Sequence, residues 1–149
     1  MSDVRELYQE LIVEHSKKPR NFGKLDGADH EATGYNPLCG DKVTVYVKMD
    51  GNIVREIRWE GSGCAISTAS ASLMTERSKG KSQADSEALF HVFHTLVTGG
   101  TLEEADAAQL GKLAVFSGVK EFPIRVKCAT LAWHTLRAAL EGTKTVSTD

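Results

Sequence analysis

The stretch "KVTVYVKMDGNIVREIRW", residues 42–59, decides the fold class of this chain. Apolar residues alternate with polar ones along its first half, at Val43, Val45, Val47 and Met49. Alternation with a period of two is typical of a strand with one buried face. The pair Asp50-Gly51 then favours a type I′ turn between two antiparallel strands. The second half continues the apolar pattern at Ile53, Ile57 and Trp59. The stretch therefore predicts a β-hairpin.

Helical patterns lie on both sides of this hairpin. Residues 3–18 carry an amphipathic stripe that ends before Pro19, formed by Val4, Leu7, Tyr8, Leu11 and Ile12. Residues 67–79 are rich in Ala, Ser and Thr, which predicts a helix that another backbone can approach closely. A further stripe, closed by Gly99-Gly100, consists of Leu89, Phe90, Phe93, Leu96 and Val97. Thr101 is the predicted N-cap of a short helix, and a last helix runs from Pro123 to Gly142.

The remaining segments are predicted to be irregular. Residues 21–37, "NFGKLDGADHEATGYNP", contain three glycines and few large apolar residues, which indicates a long loop. Residues 143–149, "TKTVSTD", are predicted to be a frayed tail. We expect one α+β domain over residues 1–149, with a small antiparallel β-sheet packed with helices.

Size and composition exclude several classes of protein. The chain has 149 residues, of which 41% are hydrophobic and 26% charged, as is ordinary for one globular domain. Its net charge of −2 argues against nucleic-acid binding, which usually requires a basic surface. No apolar run approaches the roughly 20 residues that cross a bilayer. The start "MSDVRELYQE" lacks the apolar segment of a secretory signal, so we expect a cytoplasmic protein without a membrane partner.

The three cysteines, Cys39, Cys64 and Cys128, all lie near the predicted boundaries of elements. Gly40 separates Cys39 from Asp41 and lets the loop direct both side chains to one point. Three thiolates and one carboxylate would supply the four ligands of a Zn²⁺ site, and thiolates suit iron–sulfur clusters equally. The spacing matches no short zinc-binding pattern, so buried, unreactive cysteines remain an alternative at this point.

Three motifs resemble those of a known family. "NPLCGDKV", "GSGCAIS" and "VKCATLAWHTL" are similar to the signatures of the U-type iron–sulfur assembly proteins, the IscU/SufU (NifU N-terminal) family. The opening helix, "LYQELIVEHSKKPRNFGKL", resembles the start of that family. The resemblance implies a small antiparallel sheet packed with helices, whose cysteines and aspartate meet at one exposed end. It also implies that the zinc ligands are Cys39, Asp41, Cys64 and Cys128.

Two branches of the family are distinguished by residues near the last cysteine. The scaffold branch has a histidine directly before that cysteine, whereas this chain has Lys127, and a lysine ammonium is a poor metal ligand. The stretch "EFPIRVK" departs from that branch's chaperone-recognition segment, Leu-Pro-Pro-Val-Lys. Residues 99–121 are similar to a helical insertion of the SufU branch. The resemblance thus favours SufU.

Resemblance to the SufU branch implies a zinc-bound sulfur acceptor. Its partner would be a SufS-type, pyridoxal-phosphate-dependent cysteine desulfurase, and Cys39 would receive the persulfide sulfur for a downstream iron–sulfur scaffold. One alternative is a scaffold that assembles a [2Fe–2S] cluster on the same residues. Another is a zinc ion with a purely structural role.

Other charged residues have weaker functional interpretations. Arg125 and Lys127 flank the expected site, where their cations could lower the pKa of Cys128 or pair with Asp41, while pairing with surface acids is an equal alternative. His91 and His94 form an H-x-x-H pair, but the apolar stripe of their helix predicts that both face solvent.

Overall fold

The structure, a computed structural model, describes the backbone of residues 2–142 and 145–147 and the side chains of residues 9–142 and Thr145. In chain order the elements are α1 (Ser2–Lys17), β1 (His30–Asn36), β2 (Asp41–Asp50), β3 (Ile53–Ser62), α2 (Ala65–Ser78), α3 (Gln83–Thr98), α4 (Glu104–Leu110), a 3-10 helix (Gly111–Glu121), α5 (Pro123–Glu141) and β4 (Thr145–Ser147). The sheet has the order β3-β2-β1-β4, in which β1, β2 and β3 are antiparallel and the short β4 is parallel to β1. The predicted α+β fold is confirmed.

Strands β2 and β3 form the predicted hairpin, in which β3 is an edge strand of the sheet. Its inward face is buried in the core through Val43, Val45, Val47, Ile57 and Trp59. The predicted type I′ turn is wrong in detail. Asp50 pairs with Ile53, so Gly51 and Asn52 are the two central residues, and Gly51 alone has a positive φ, of 61°. A glycine at the first central position is the requirement of a type II′ turn.

The predicted loop over residues 21–37 is wrong for its last part, because His30–Asn36 form β1. The side chains of β1 that face the core are small, at Ala32, Gly34 and Asn36. Their size follows from the close approach of α5, since a Cβ atom on Gly34 would lie 2.0 Å from Thr135 Oγ1. Large apolar side chains cannot fit there, so the alternation that reveals β2 is missing from β1.

Helix α2 packs closely against α5, as its small residues predict. Ser70 Oγ donates a hydrogen bond to the Ala129 carbonyl at 2.5 Å and accepts one from Trp133 Nε1 at 3.1 Å. The helix begins at Ala65 with Cys64 as its N-cap, two residues earlier than predicted. This packing holds the N-terminus of α2 beside the first turns of α5.

Other boundaries differ from the prediction. Helix α4 begins at Glu104 with Glu103 as its N-cap, so the assignment of Thr101 to that position is wrong. A 3-10 helix follows and contributes Leu113, Phe116 and Val119 to the core. Leu11 and Ile12 of α1 pack on the core, whereas Val4, Leu7 and Tyr8 lie outside the described side chains.

The C-terminal segment is partly ordered into the sheet. Thr145–Ser147 pair with Thr33–Tyr35 of β1, so the prediction of a frayed tail is wrong for these three residues. Residues 143, 144, 148 and 149 lie outside the described part of the chain. Among the helices that the structure describes, none combines the length and the apolar character needed to cross a membrane.

Candidate metal centre

The turn between β1 and β2 presents the first two candidate side chains, Cys39 and Asp41. The backbone N–H groups of Cys39 and Gly40 both donate to the Asn36 carbonyl, at 3.3 and 2.9 Å. Gly40 has a φ of +73°, a backbone conformation that other residues rarely adopt. The turn therefore exposes Cys39 and directs Asp41 into the protein, where this residue is only 3% exposed.

The junction of β3 and α2 places Cys64 against the buried carboxylate of Asp41. The Cys64 N–H donates to Asp41 Oδ1 at 3.1 Å, and Cys64 Sγ lies 3.9 Å from Asp41 Oδ2. A Cβ atom on Gly63 would lie 2.7 Å from Asp41 Oδ1, so this approach requires a glycine. Cys64 Sγ also accepts a hydrogen bond from the Ser67 N–H at 3.4 Å and so caps the N-terminus of α2.

Helix α5 supplies the third thiol, Cys128, from the protein side of the site. Cys128 is 3% exposed, and its Sγ lies 3.4 Å from Cys39 Sγ and 3.7 Å from Asn36 Nδ2. Burial raises the pKa of the Cys128 thiol far above its usual range, and hydrogen bonds with Cys39 and Asp41 raise it further. A bound cation would replace the proton on such a thiol, because metal binding to cysteine releases protons.

Three of these four side chains have metal-ligand spacing, and the fourth, Cys64, lies beside them. Ligand atoms of Cys39, Asp41 and Cys128 all lie within 4.8 Å of one another, and Cys64 Sγ adjoins the Asp41 carboxylate. Two thiolates on a tetrahedral zinc ion with bonds of about 2.3 Å are about 3.8 Å apart, close to the 3.4 Å between Cys39 and Cys128. Three sulfur atoms and one oxygen atom favour Zn²⁺ over Mg²⁺ or Ca²⁺. The structure thus brings Cys39, Asp41 and Cys128 within metal-ligand spacing, and it places Cys64 outside that group but in contact with Asp41.

Of the two cations Arg125 and Lys127, the first contacts an aromatic ring. The Arg125 guanidinium stacks on the Phe122 ring, 4.5 Å from its centroid. Among the side chains of residues 9–142 and Thr145, no cationic group lies within ion-pair distance of Asp41. Burial and the neighbouring Cys39, Asp41 and Cys64 raise the pKa of Cys128, so a lowering of that pKa by Arg125 or Lys127 stays a prediction.

The H-x-x-H pair of His91 and His94 lies outside the candidate metal centre. His91 and His94 are exposed on α3, as predicted, and border an open pocket of about 320 Å³ together with His134. The ring centroids of His94 and His134 are 6.3 Å apart. In the part of the chain that the structure describes, the group with metal-ligand spacing contains none of these imidazoles.

Asn36 is the residue of the site that the sequence did not indicate. It is fully buried, and both its backbone carbonyl and its side chain contact the candidate ligands. An asparagine before Pro37 is typical of a turn, so its sequence context gave no sign of a role at a metal centre.

Comparisons with known proteins agree with this geometry. The profile of the family described as NifU-like N terminal domain matches residues 7–129. The chain is 41% identical over 130 residues to the zinc-dependent sulfurtransferase SufU of Bacillus subtilis, covering 87% of this chain and 86% of that protein. It is 39% identical over 141 residues to the iron–sulfur cluster assembly scaffold protein IscU of Streptococcus pyogenes, covering 95% and 87%.

The fold also matches a solved structure. A crystal structure assigned to an iron–sulfur cluster assembly scaffold protein for the SUF system of Fervidobacterium islandicum superposes with a TM-score of 0.82. The two sequences are 37% identical, and the match covers 88% of this chain and 94% of the other. The family profile, these relatives and the shared fold lead to one conclusion: the chain belongs to the NifU-like N-terminal, or IscU/SufU, family of iron–sulfur cluster assembly proteins.

Proposed function

We propose that this protein is a zinc-dependent sulfur carrier in iron–sulfur cluster biogenesis. Cys39, Asp41, Cys64 and Cys128 would hold Zn²⁺, and Cys39 would accept sulfur from the persulfide of a SufS-type cysteine desulfurase. The name of the Bacillus subtilis relative, a zinc-dependent sulfurtransferase, supports this proposal. Zinc has no redox chemistry of its own, and when bound it would keep the thiols of the site deprotonated.

The observation that carries the proposal is the different environment of the three sulfur atoms. Cys64 Sγ accepts a hydrogen bond from the Ser67 N–H, and Cys128 Sγ accepts one from the Asn36 amide. In the described part of the chain, no N–H group donates to Cys39 Sγ. Cys39 Sγ is therefore the sulfur that a donor can reach without breaking a hydrogen bond from a backbone or side-chain N–H group.

The solvent exposure of the thiols also favours Cys39 as the sulfur acceptor. Cys39 projects from the β1–β2 turn into solvent, whereas Cys128 and Asp41 are each only 3% exposed. A persulfide on another protein can approach Cys39 without any rearrangement of the core. Cys64 is exposed as well, but its sulfur caps α2 through the Ser67 N–H. These contacts favour Cys39 as the acceptor and the other three residues as ligands that stay in place.

The proposed sulfur transfer requires neither an oxidant nor a reductant. The Cys39 thiolate attacks the outer sulfur of the donor persulfide, and a new S–S bond forms at Cys39. The S–S bond of the donor breaks, and its electron pair leaves with the cysteine thiolate of the desulfurase. Cys39 then carries the persulfide to a downstream iron–sulfur scaffold, where a thiol would release the sulfur.

A scaffold for a [2Fe–2S] cluster is the second candidate, because three thiolates also suit iron and several relatives are named as scaffolds. Lys127 argues against it, since a protonated ammonium directly before Cys128 cannot serve as a ligand. Analysis of the purified protein separates the two. One zinc per chain in a colourless sample supports the carrier, and iron with sulfide in a brown sample supports the scaffold.

The test of sulfur transfer uses the positions of the three thiols in the sequence. Cleavage after Lys and Arg places Cys39, Cys64 and Cys128 on separate peptides, residues 25–42, 59–77 and 128–137. After incubation with a SufS-type desulfurase and cysteine, mass spectrometry should find the added sulfur on the Cys39 peptide. Catalytic amounts of the protein should also accelerate alanine release in the presence of a reductant, and Cys39→Ser should abolish that effect. Unchanged alanine release with the wild-type protein would leave zinc only a structural role.

A further inference from the structure

We propose that Asn36 is a positioning residue of the metal centre, and this inference rests on the proposed function. Its side-chain amide donates to Cys128 Sγ and keeps that sulfur in place as a ligand. Its backbone carbonyl fixes the turn that carries Cys39. Asn36 would thus hold Cys128 in place as a ligand and also fix the turn from which Cys39 projects.

The contacts of Asn36 join parts of the chain that are distant in sequence. Asn36 is the last residue of β1, and its Nδ2 lies 3.7 Å from the sulfur of Cys128, 92 residues further along the chain. Its carbonyl accepts hydrogen bonds from the N–H groups of Cys39 and Gly40. Any shift of this residue would therefore change the distance between the two sulfur atoms, which is 3.4 Å.

The oxygen atom of the Asn36 amide has no hydrogen-bond partner in the described part of the chain. The residue is 0% exposed, and its Oδ1 has no hydrogen-bond partner among the described residues. A buried polar atom without a partner destabilises a fold, so an apolar side chain of similar size would suit packing alone at least as well. The N–H end, in contrast, faces a sulfur that carries negative charge when it binds a metal. We infer that the amide serves the metal-bound state of the site.

Donors of this kind commonly determine metal affinity. A hydrogen bond from outside the ligand set orients a ligand, and its loss typically weakens metal binding by about 10- to 100-fold. Removing the amide should therefore weaken zinc binding and change the bond between Cys128 and the metal.

The experiment compares two variants that remove the amide but differ in packing. Asn36→Leu has a similar volume and eliminates the unpaired oxygen, so the metal-free protein should melt at or above the wild-type temperature. Asn36→Ala leaves a cavity and should melt at a lower temperature. Both should bind Zn²⁺ about 10- to 100-fold more weakly than the wild type, measured by competition with a chromogenic chelator. With Co²⁺ in the site, both should shift the sulfur-to-cobalt absorption band in the same direction.

Ser78→Ala is the matched control. Its hydroxyl is also buried and without a partner among the described residues, but it lies at the opposite end of α2 from Cys64. This variant should keep the wild-type zinc affinity and cobalt spectrum. If Asn36→Leu and Asn36→Ala both bind zinc within about threefold of the wild type, the inference is overturned. Affinity losses that follow the stability of the metal-free variants would also overturn it, since packing would then explain them. If the wild type binds no zinc, the proposed function fails as well.

Discussion

The close contact between β1 and α5 leads to a sharp prediction at Gly34. A Cβ atom there would lie 2.0 Å from Thr135 Oγ1 and 3.1 Å from Leu131 Cδ1, and the first distance is far below any van der Waals contact. Gly34→Ala must therefore push α5 away from the sheet or move Thr135. Adding a methyl group to a well-packed core typically costs about 1–3 kcal/mol of unfolding free energy.

The size of the effect can be measured by thermal unfolding. For a protein of this length, 1 kcal/mol corresponds to a change in Tm of about 2–4 °C, so a cost of about 2 kcal/mol lowers Tm by about 4–8 °C. Thr135→Ala removes the nearest atom and should reduce the cost of Gly34→Ala by about 1 kcal/mol. Thr135→Val keeps a branched side chain and should not. Because α5 carries Cys128, Gly34→Ala should also weaken zinc binding.

Gly118 supplies the control for this prediction. A Cβ atom on Gly118 would meet nothing within 4 Å, and its φ lies outside the left-handed region. Gly118→Ala should therefore change the unfolding free energy by no more than about 0.5 kcal/mol. Equal melting temperatures for Gly34→Ala and Gly118→Ala would refute the close β1–α5 contact. The geometry that brings Cys128 to Cys39 would then need revision.

Two further predictions concern the site and the response to acid. Gly63→Ala should weaken zinc binding by at least tenfold in chelator competition, because the new Cβ would displace the Asp41 carboxylate; an unchanged affinity would contradict this. Burial lowers the pKa of His15, whose Nδ1 lies 2.7 Å from Ser72 Oγ. The unfolded chain then takes up the proton first, so stability should fall as the pH drops below about 6.5, by at most about 1.4 kcal/mol per pH unit. Urea unfolding at several pH values should show a weaker acid dependence for His15→Gln than for the wild type.

The elements that could be predicted from the sequence are those in which the pattern of apolar side chains shows which face is buried. The hairpin was predictable because Val43, Val45 and Val47 all face one core. Strand β1 was not, since the proximity of α5 permits only small side chains at Ala32 and Gly34. The pairing of β4 with β1 depends on tertiary contacts that no local pattern records.

The candidate site, too, could be predicted only in part from local sequence. Residue types and the glycine at position 40 indicated that Cys39 and Asp41 could act together, but nothing local indicated that Cys64 and Cys128 would join them. Their assembly depends on the packing of α2 against α5 through Ser70. Resemblance to the family supplied the missing information. It did not supply Asn36, whose contacts with Cys39 and Cys128 are visible only in three dimensions.

The position of the site relative to the core bears on whether a ligand can leave. The core is built from apolar side chains of the sheet and the helices, and Cys39 contributes nothing to it. Cys39 sits on a turn that the Asn36 carbonyl holds through two backbone hydrogen bonds, so the turn does not depend on the thiol. Release of Cys39 from a metal would thus leave the turn and the core intact. A structural zinc site needs all its ligands in place, whereas a carrier needs one that can leave, and this arrangement suits the carrier.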